Sequence, residues 1–146
     1  MIRNTPIFLV LISPFLVSCE DENLVIPTQS LDNPFTLKVG ERIRLYPDNL
    51  QVGFQKVISD SRCPSNARCI WEGIADLQLW LLKPGLDTVY VKASIRGYVT
   101  KSNTDGHVAV DALGYRIKVL QLDPYPKTDQ RPNPSDYIAT LRVSRL

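Results

Sequence analysis

The sequence DSRCPSNARCIWEG, residues 60–73, separates two stretches of the chain that are rich in β-strand patterns. It contains two of the three cysteines, Cys63 and Cys69, and one of the two tryptophans. A proline, a serine and an asparagine follow Cys63 and favour a turn that would bring the two thiols together. A disulfide, a metal site and a redox pair compete as explanations of the two cysteines. The choice among them depends on the compartment in which the protein works.

The N-terminus has the pattern of a bacterial lipoprotein signal peptide, residues 1–18. Arg3 supplies the positive charge, and residues 7–17 form an apolar run that is too short to cross a bilayer as an ordinary helix. The run leads into LVSC, residues 16–19, which resembles the lipobox, where a cysteine becomes the lipidated first residue. We therefore predict acylation of Cys19, with palmitate among the acyl chains, and an anchor in the cell envelope, at the outer membrane. A cleaved ordinary signal followed by an incidental cysteine is the alternative.

Lipidation of Cys19 decides among the three explanations of the remaining cysteines. It leaves an even number of cysteines in an oxidising compartment, which favours a disulfide between Cys63 and Cys69. A zinc site needs about four ligands, and His107 is the only histidine in the chain. A redox pair has Cys-x-x-Cys spacing at the start of a helix, and this pair has neither feature. We predict a disulfide, with no metal and no cofactor.

The chain after the signal peptide divides into a tether and a domain. Residues 19–34 are predicted to be the lipidated cysteine and a flexible, polar tether, and residues 35–146 a single domain. The acidic residues 20–22 resemble signals that send lipoproteins to the cell surface in some Gram-negative bacteria; a soluble acidic spacer is the alternative. The formal net charge is only +2 and includes Arg3, so no charge excess favours nucleic acid as a partner.

The domain has the alternating pattern of β-strands and almost no helix signal. Apolar residues alternate with polar ones in at least six segments, most regularly at Ala75, Leu77, Leu79 and Leu81. The adjacent Val57 and Ile58 break the alternation and predict a β-bulge just before the cysteines. Seven or eight short strands favour an all-β fold, an antiparallel β-sandwich with an immunoglobulin-like arrangement. Immunoglobulin domains join their two sheets with cysteines that are far apart in sequence. Because this cysteine pair is close in sequence, we expect only the two-sheet architecture to be shared with that class.

The cysteine stretch also resembles a known pattern. Arg62-Cys63-Pro64, four further residues and then Cys69-Ile-Trp-Glu-Gly73 are similar to a family of small exported bacterial proteins of unknown function. Its members carry Arg-Cys-Pro-x4-Cys-[Val/Ile]-Trp-x-Gly, often with alanine where this chain has Glu72. The stretch FTLKVGE, residues 35–41, and the stretch LDPYP, residues 122–126, are also similar to that family. The resemblance implies an exported all-β domain and implies no chemistry.

The residues themselves do not predict an enzyme. His107 follows an Asp-Gly pair, and we expect it to be exposed in a loop, where it would lack a nucleophile to activate. Asp60, Glu72 and Asp76 are close in sequence, but a domain of this size has little room for a cleft between two catalytic carboxylates. We expect Asp60 to cap the turn that follows it. No G-x-S-x-G, P-loop or H-E-x-x-H motif occurs.

Two groups of residues are candidates for binding. Trp80 and Tyr90 fall on the polar faces of two consecutive strands, and a hairpin would place both rings on one face, where they could stack on a sugar or anchor a protein. If another loop covers them, they form a satellite cluster of the core. Arg62 and Arg68 could bind an anionic group, although solvated charge is the simpler expectation. Trp71 is expected to pack on the disulfide as part of the core.

These observations favour a lipid-anchored envelope protein that works as a binding or scaffolding module for a protein or glycan. The alternatives are a purely structural lipoprotein and an inhibitor of an envelope enzyme, since rigid disulfide-held loops can serve that purpose. Exposure of Trp80 and Tyr90 would favour the binding module, and their burial would favour the structural protein.

Overall fold

The computed structural model describes residues 25–98 and 107–146, which form nine β-strands in two sheets. The predicted signal peptide, Cys19 and the acidic residues 20–22 lie outside the described residues. In chain order the strands are β1 (Thr28–Ser30), β2 (Phe35–Lys38), β3 (Arg42–Tyr46), β4 (Leu50–Asp60), β5 (Ile74–Leu82), β6 (Val89–Arg96), β7 (Ala109–Ala112), β8 (Tyr115–Asp123) and β9 (Ile138–Arg145), with one turn of 3-10 helix at Pro134–Asp136 before β9. No helix among these residues has the length and apolar character needed to span a membrane.

The two sheets have the orders β1-β3-β4-β5-β6 and β2-β9-β8-β7. All strand pairs are antiparallel except β1 with β3, which is parallel. The predicted antiparallel sandwich is therefore confirmed. In the larger sheet β3 to β6 follow one another as a meander, and in the smaller sheet β2 and β9, from opposite ends of the domain, lie side by side.

The core consists of the inward faces of both sheets, as the alternating pattern predicted. Ala75, Leu77, Leu79 and Leu81 are all completely buried, and their neighbours along β5 are only partly covered. Full burial of a leucine contributes on the order of 2 kcal/mol, so this one strand contributes several kcal/mol to folding. The core residues of the remaining strands include Leu45, Leu50, Val52, Phe54, Ile95, Tyr115, Ile117, Val119, Leu122, Leu141 and Val143.

The turn after β2 carries the chain from the smaller sheet to the larger one. Gly40 has a φ of +87°, a left-handed conformation that side chains disfavour. Its N–H donates to Phe54 O at 2.7 Å, and the N–H of Glu41 donates to Lys38 O at 3.0 Å. The Gly-Glu turn predicted from the sequence is therefore confirmed, and it connects the two layers of the sandwich.

Part of the predicted tether belongs to the domain, which corrects the expectation of a flexible segment up to residue 34. Thr28–Ser30 pair with β3, and the N–H of Asp32 donates to Val143 O at 2.8 Å. Composition alone missed this because the segment is polar, and its backbone rather than its side chains makes most of the contacts. Leu31 is the exception, since its side chain packs against the core.

Two irregularities in β4 determine which of its residues face inward. The pairing with β5 shifts between Phe54 and Lys56 and again between Val57 and Ser59. Because each shift adds one residue, the positions opposite buried residues of β5 become Phe54, Val57 and Asp60. The predicted bulge is confirmed, and its consequence is that a carboxylate points into the end of the sandwich.

Candidate functional site

Trp80 and Tyr90 form an aromatic pair on the solvent-facing side of the larger sheet, which we call the outer face. They are direct cross-strand partners in the β5–β6 hairpin, as the sequence predicted. Tyr90 is 57% exposed and Trp80 is half-buried. No strand or loop of the described residues covers the tyrosine ring, which argues against the satellite-cluster alternative.

The indole of Trp80 lies against the backbone of β4 at Gly53. These two residues are cross-strand partners, and a Cβ placed on Gly53 would lie 2.0 Å from Cε2 of the indole. Glycine therefore leaves the space that the indole occupies, and the ring rests against the sheet. No residue pattern indicated this role in advance, because a glycine within a strand usually indicates only a bulge or a close approach.

Polar and charged groups lie on the outer face at one end of the aromatic row and along one side of it. Arg42 is the β3 partner of Gly53 and extends the same row across the sheet. Asp76 accepts hydrogen bonds from Ser94 Oγ at 2.6 Å and from Lys92 Nζ at 3.4 Å. Lys92 therefore lies in the cross-strand pair next to the aromatic pair, and Asp76 lies one pair further along. An aromatic surface beside hydrogen-bonding groups suits a polar ligand with an apolar side.

The second notable element is the cysteine loop, residues 61–73, between β4 and β5. The Sγ atoms of Cys63 and Cys69 are 2.05 Å apart, the length of a disulfide bond. The N–H of Cys63 donates to Glu72 O at 2.9 Å and so closes the base of the loop. Gly73, with a φ of +71°, lies against Ser61 O, where a Cβ would approach to 2.0 Å. Bonds at its base and across its middle therefore fix the shape of the loop.

The proline-rich segment that precedes β9 holds the cysteine loop from the side. The side chain of Asn66 donates to Thr128 Oγ1 and accepts from the N–H of Thr128, both at 2.9 Å. The N–H of Ser65 donates to Pro126 O at 2.9 Å. These bonds connect the larger sheet to the smaller one through two loops.

Arg62 is buried, which corrects the expectation that it is a solvated or ligand-binding charge. Its side chain donates to both carboxylate oxygens of Asp60, at 2.9 and 2.7 Å, and to Leu122 O at 2.7 Å. Its guanidinium also lies 4.6 Å from the centroid of the Tyr125 ring. Asp60 accepts the N–H of Arg62 as the predicted turn cap, so that expectation is confirmed. Arg62 therefore connects the base of the loop to the end of β8.

Tyr137 completes this buried polar cluster. Its hydroxyl donates to Asp60 Oδ2 at 3.1 Å. Burial, reinforced by the negative charge of Asp60, raises the pKa of Tyr137 to about 12. The tyrosine stays neutral over the physiological pH range and acts as a fixed hydrogen-bond donor.

The loop tip, defined as Ile70 and Trp71, projects into solvent. Ile70 is fully exposed and Trp71 is 70% exposed, so the expectation that Trp71 packs on the disulfide is wrong. The base of the loop positions Glu72 O against Cys63, and this geometry turns the two preceding side chains outward. Arg68, the other candidate arginine, is exposed beside the tip, as expected for a solvated charge.

His107 is buried, which corrects the prediction of an exposed loop histidine. Its Nδ1 lies 2.8 Å from Val119 O, and because a carbonyl oxygen can only accept, the Nδ1–H group is the donor of this hydrogen bond. The Asp-Gly pair before His107 suggested an exposed side chain, but turn residues only locate a loop and do not determine the direction of the next side chain.

The three carboxylates near the cysteines are not brought together. Asp60 points into the sandwich and Asp76 lies on the outer face of the same sheet, while Glu72 pairs with Arg96 at 3.3 Å. Among residues 25–98 and 107–146, no three His, Cys, Asp or Glu side chains cluster as ligands of a metal ion.

Comparisons with protein-family models, with curated proteins and with solved structures found no match to this chain. The likeness of the cysteine stretch to a family of exported proteins therefore depends on its residue pattern alone.

Proposed function

We propose that this chain is a lipid-anchored binding module of the bacterial cell envelope, held at the outer membrane through Cys19, and that it is not an enzyme. The aromatic pair on the outer face is its binding surface, and a glycan is the ligand that fits it best. The observation that carries this proposal is the direct pairing of Trp80 with an exposed Tyr90 on the solvent side of a rigid sheet.

The chemistry of the two rings supports a sugar ligand. A pyranose ring has a face of C–H groups that packs on an aromatic ring and a rim of hydroxyl groups that need hydrogen-bond partners. The indole resting against Gly53 offers such a ring. On the same face, Lys92 lies in the neighbouring cross-strand pair and Arg42 in the same row across the sheet, where they can donate to hydroxyl groups. A site built on strands holds its groups in place before the ligand arrives, which lowers the entropy lost on binding.

The anchor is supported by the residue pattern at the N-terminus. The apolar run and the lipobox-like LVSC at residues 16–19 have the order of a lipoprotein signal. Cys63 and Cys69 pair with each other, which leaves Cys19 as the third cysteine of the chain. Mass spectrometry of the protein purified from its host membranes should find acyl chains on Cys19 and none in a Cys19→Ala variant.

A glycan array probed with the mature protein tests the binding surface. Replacement of both Trp80 and Tyr90 by alanine should weaken binding at least about tenfold, as expected when an aromatic anchor is removed. Tyr98→Ala is the matched control, because Tyr98 is a 55% exposed aromatic beyond the end of β6. It should leave binding unchanged.

Stability measurements separate lost binding from lost folding. Tyr90→Ala should leave the free energy of unfolding nearly unchanged, whereas Trp80→Ala should lower it by about 1–2 kcal/mol because the indole is half-buried. If no glycan binds, and an envelope protein is recovered with the wild type but not with the variant lacking both rings, the surface would be assigned to a protein partner.

A further inference from the structure

We infer that the loop tip, Ile70 and Trp71, inserts into the surface of the bilayer that holds the lipid anchor, an inference that rests on the anchor proposed above. The tip is then a second membrane contact, which fixes the orientation of the domain.

The loop tip is exposed, and the loop beneath it is held rigidly. An exposed isoleucine next to an exposed tryptophan would fold back against the domain if the loop were free to move. The disulfide, the Cys63–Glu72 backbone bond and the Asn66–Thr128 bonds prevent that movement. Apolar side chains held outward by a fixed base are typical of a surface that is covered by a partner or a membrane.

The direction of β1 shows from which end of the sandwich the chain enters the domain. β4 runs toward the cysteine loop, so β3, antiparallel to it, and β1, parallel to β3, run away from that loop. The residues just before β1 therefore approach from the loop end of the sandwich. Pro27 O accepts the N–H of Arg44, and Val25 and Ile26 lie beside the turn at Gly40.

The length of chain between Val25 and Cys19 limits how far the anchor can lie from the domain. Six residue steps span at most about 20 Å. The start of β3 is level with Trp80 on β5, and the end of β4, where the cysteine loop begins, is level with Ala75. These two levels are five residues of β5 apart, or about 17 Å along the strand. Cys19 can therefore reach the level at which the cysteine loop begins.

The side chains at the tip suit a membrane interface. Tryptophan is enriched at the membrane–water interface, where its ring lies among the headgroups, and isoleucine partitions into the acyl region. Arg68, exposed next to the tip, has a long side chain that can reach lipid phosphates while its apolar part remains in the interface. A protein pocket could also accept Ile70 and Trp71, but the path of the chain favours the bilayer.

This orientation agrees with the proposed binding surface. The aromatic pair lies close to the hairpin turn at Lys83–Leu86, at the opposite end of the larger sheet from the cysteine loop. With the loop tip in the membrane, Trp80 and Tyr90 are held away from the bilayer and face the surrounding envelope.

Fluorescence quenching tests the inference on the complete lipidated protein. The chain has two tryptophans, so Trp80→Phe leaves Trp71 as the single indole. The protein is reconstituted in vesicles of phosphatidylethanolamine and phosphatidylglycerol with bromine atoms on the acyl chains. The matched reference carries Trp71→Phe, Trp80→Phe and Leu86→Trp, which moves the indole to an exposed position in the opposite turn. We expect brominated lipid to quench Trp71 several-fold more strongly than the indole at position 86.

A second measurement does not depend on fluorescence. Transfer of the lipidated protein between vesicles should become several-fold faster in the double variant Ile70→Ser, Trp71→Ser, because part of the apolar contact is lost. Leu86→Ser, which removes an exposed apolar side chain at the other end, should leave the rate unchanged.

The outcomes distinguish this inference from the proposed function. The inference is overturned if, in lipidated protein, Trp71 is quenched no more strongly than the indole at position 86. It is also overturned if the Ile70→Ser, Trp71→Ser variant transfers between vesicles at the wild-type rate. Either result leaves the anchor intact. If brominated lipid does not quench Trp71, and an envelope protein is recovered with the wild type but not with the Ile70→Ser, Trp71→Ser variant, the tip is assigned to a protein partner instead. Protein without acyl chains on Cys19 overturns the anchor and this inference together.

Discussion

Asp60 and Arg62 form a bidentate ion pair in which the arginine side chain is only 1% exposed. The pair lies at the junction of β4, the cysteine loop and the end of β8, since Arg62 also donates to Leu122 O. A buried guanidinium has no water to replace a lost carboxylate. The position of the cysteine loop therefore depends on the negative charge of Asp60.

Asp60→Asn should lower the free energy of unfolding by about 3 kcal/mol, because it leaves Arg62 buried without a counterion. Chemical denaturation measures this change. Asp111→Asn is the matched control, since Asp111 forms a similar bidentate pair with Arg116 in an exposed position. It should have only a slight effect. Equal losses in both variants would show that the burial of the Asp60 pair does not matter.

The disulfide is expected to contribute less than this ion pair. Replacement of Cys63 and Cys69 by serine should lower the free energy of unfolding by about 2 kcal/mol, because the unfolded chain regains the freedom of a short closed loop. The domain should remain folded, since the core does not include the bridge. Titration of the unreduced protein should find no free thiol at either position, and two free thiols would contradict the pairing.

Residue patterns predicted the elements that depend on burial. The alternation along β5 determined its inward face, because a strand presents every second side chain to one side of the sheet. The same rule placed Trp80 and Tyr90 on one face once a Pro-Gly turn joined their strands. The break at Val57 and Ile58 predicted a bulge for the same reason.

The features that sequence reasoning missed depend on contacts between distant segments. Arg62 is buried because the end of β8, sixty residues later, supplies a carbonyl acceptor to its side chain. Trp71 is exposed because the base of the cysteine loop turns it outward, although a tryptophan beside a disulfide is usually core. β1 is a strand because β3 offers it a free edge, which no property of Thr28–Ser30 reveals.

Gly53 provides a test of the aromatic pair that leaves both rings in the chain. Gly53→Val should displace the indole of Trp80 from the sheet, because a Cβ at position 53 would overlap it. We expect a red shift of the Trp80 emission, measured in a Trp71→Phe background, and loss of glycan binding. Gly85→Ala is a control, since an added Cβ there meets nothing within 4 Å, although its φ of +80° adds some backbone strain. An unchanged spectrum and unchanged binding in the Gly53 variant would show that the position of the indole does not determine recognition.

Asp48 connects the two sheets at the end opposite the cysteine loop. It lies in the turn between β3 and β4 and accepts a hydrogen bond from Tyr115 Oη at 2.6 Å. The guanidinium of Arg145 on β9 donates to both oxygens of the same carboxylate. The bonds from Arg145 and then from Tyr115 lower the pKa of Asp48 from 3.8 to about 2.

Acid should therefore destabilise the protein partly through Asp48. A carboxylate whose pKa is lower in the folded than in the unfolded state stabilises the fold above the unfolded value, and it loses this contribution as the pH falls through the folded value. The difference in free energy of unfolding between the wild type and Asp48→Asn should be largest above pH 3.8 and should shrink as the pH approaches about 2. Denaturation at a series of pH values between 2 and 6 measures this difference. Asp111→Asn serves as a comparison, because the bonds from Arg116 also lower the pKa of Asp111, but within one sheet. A difference for Asp48→Asn that stays constant across this range would show that the contacts of Asp48 do not depend on its charge.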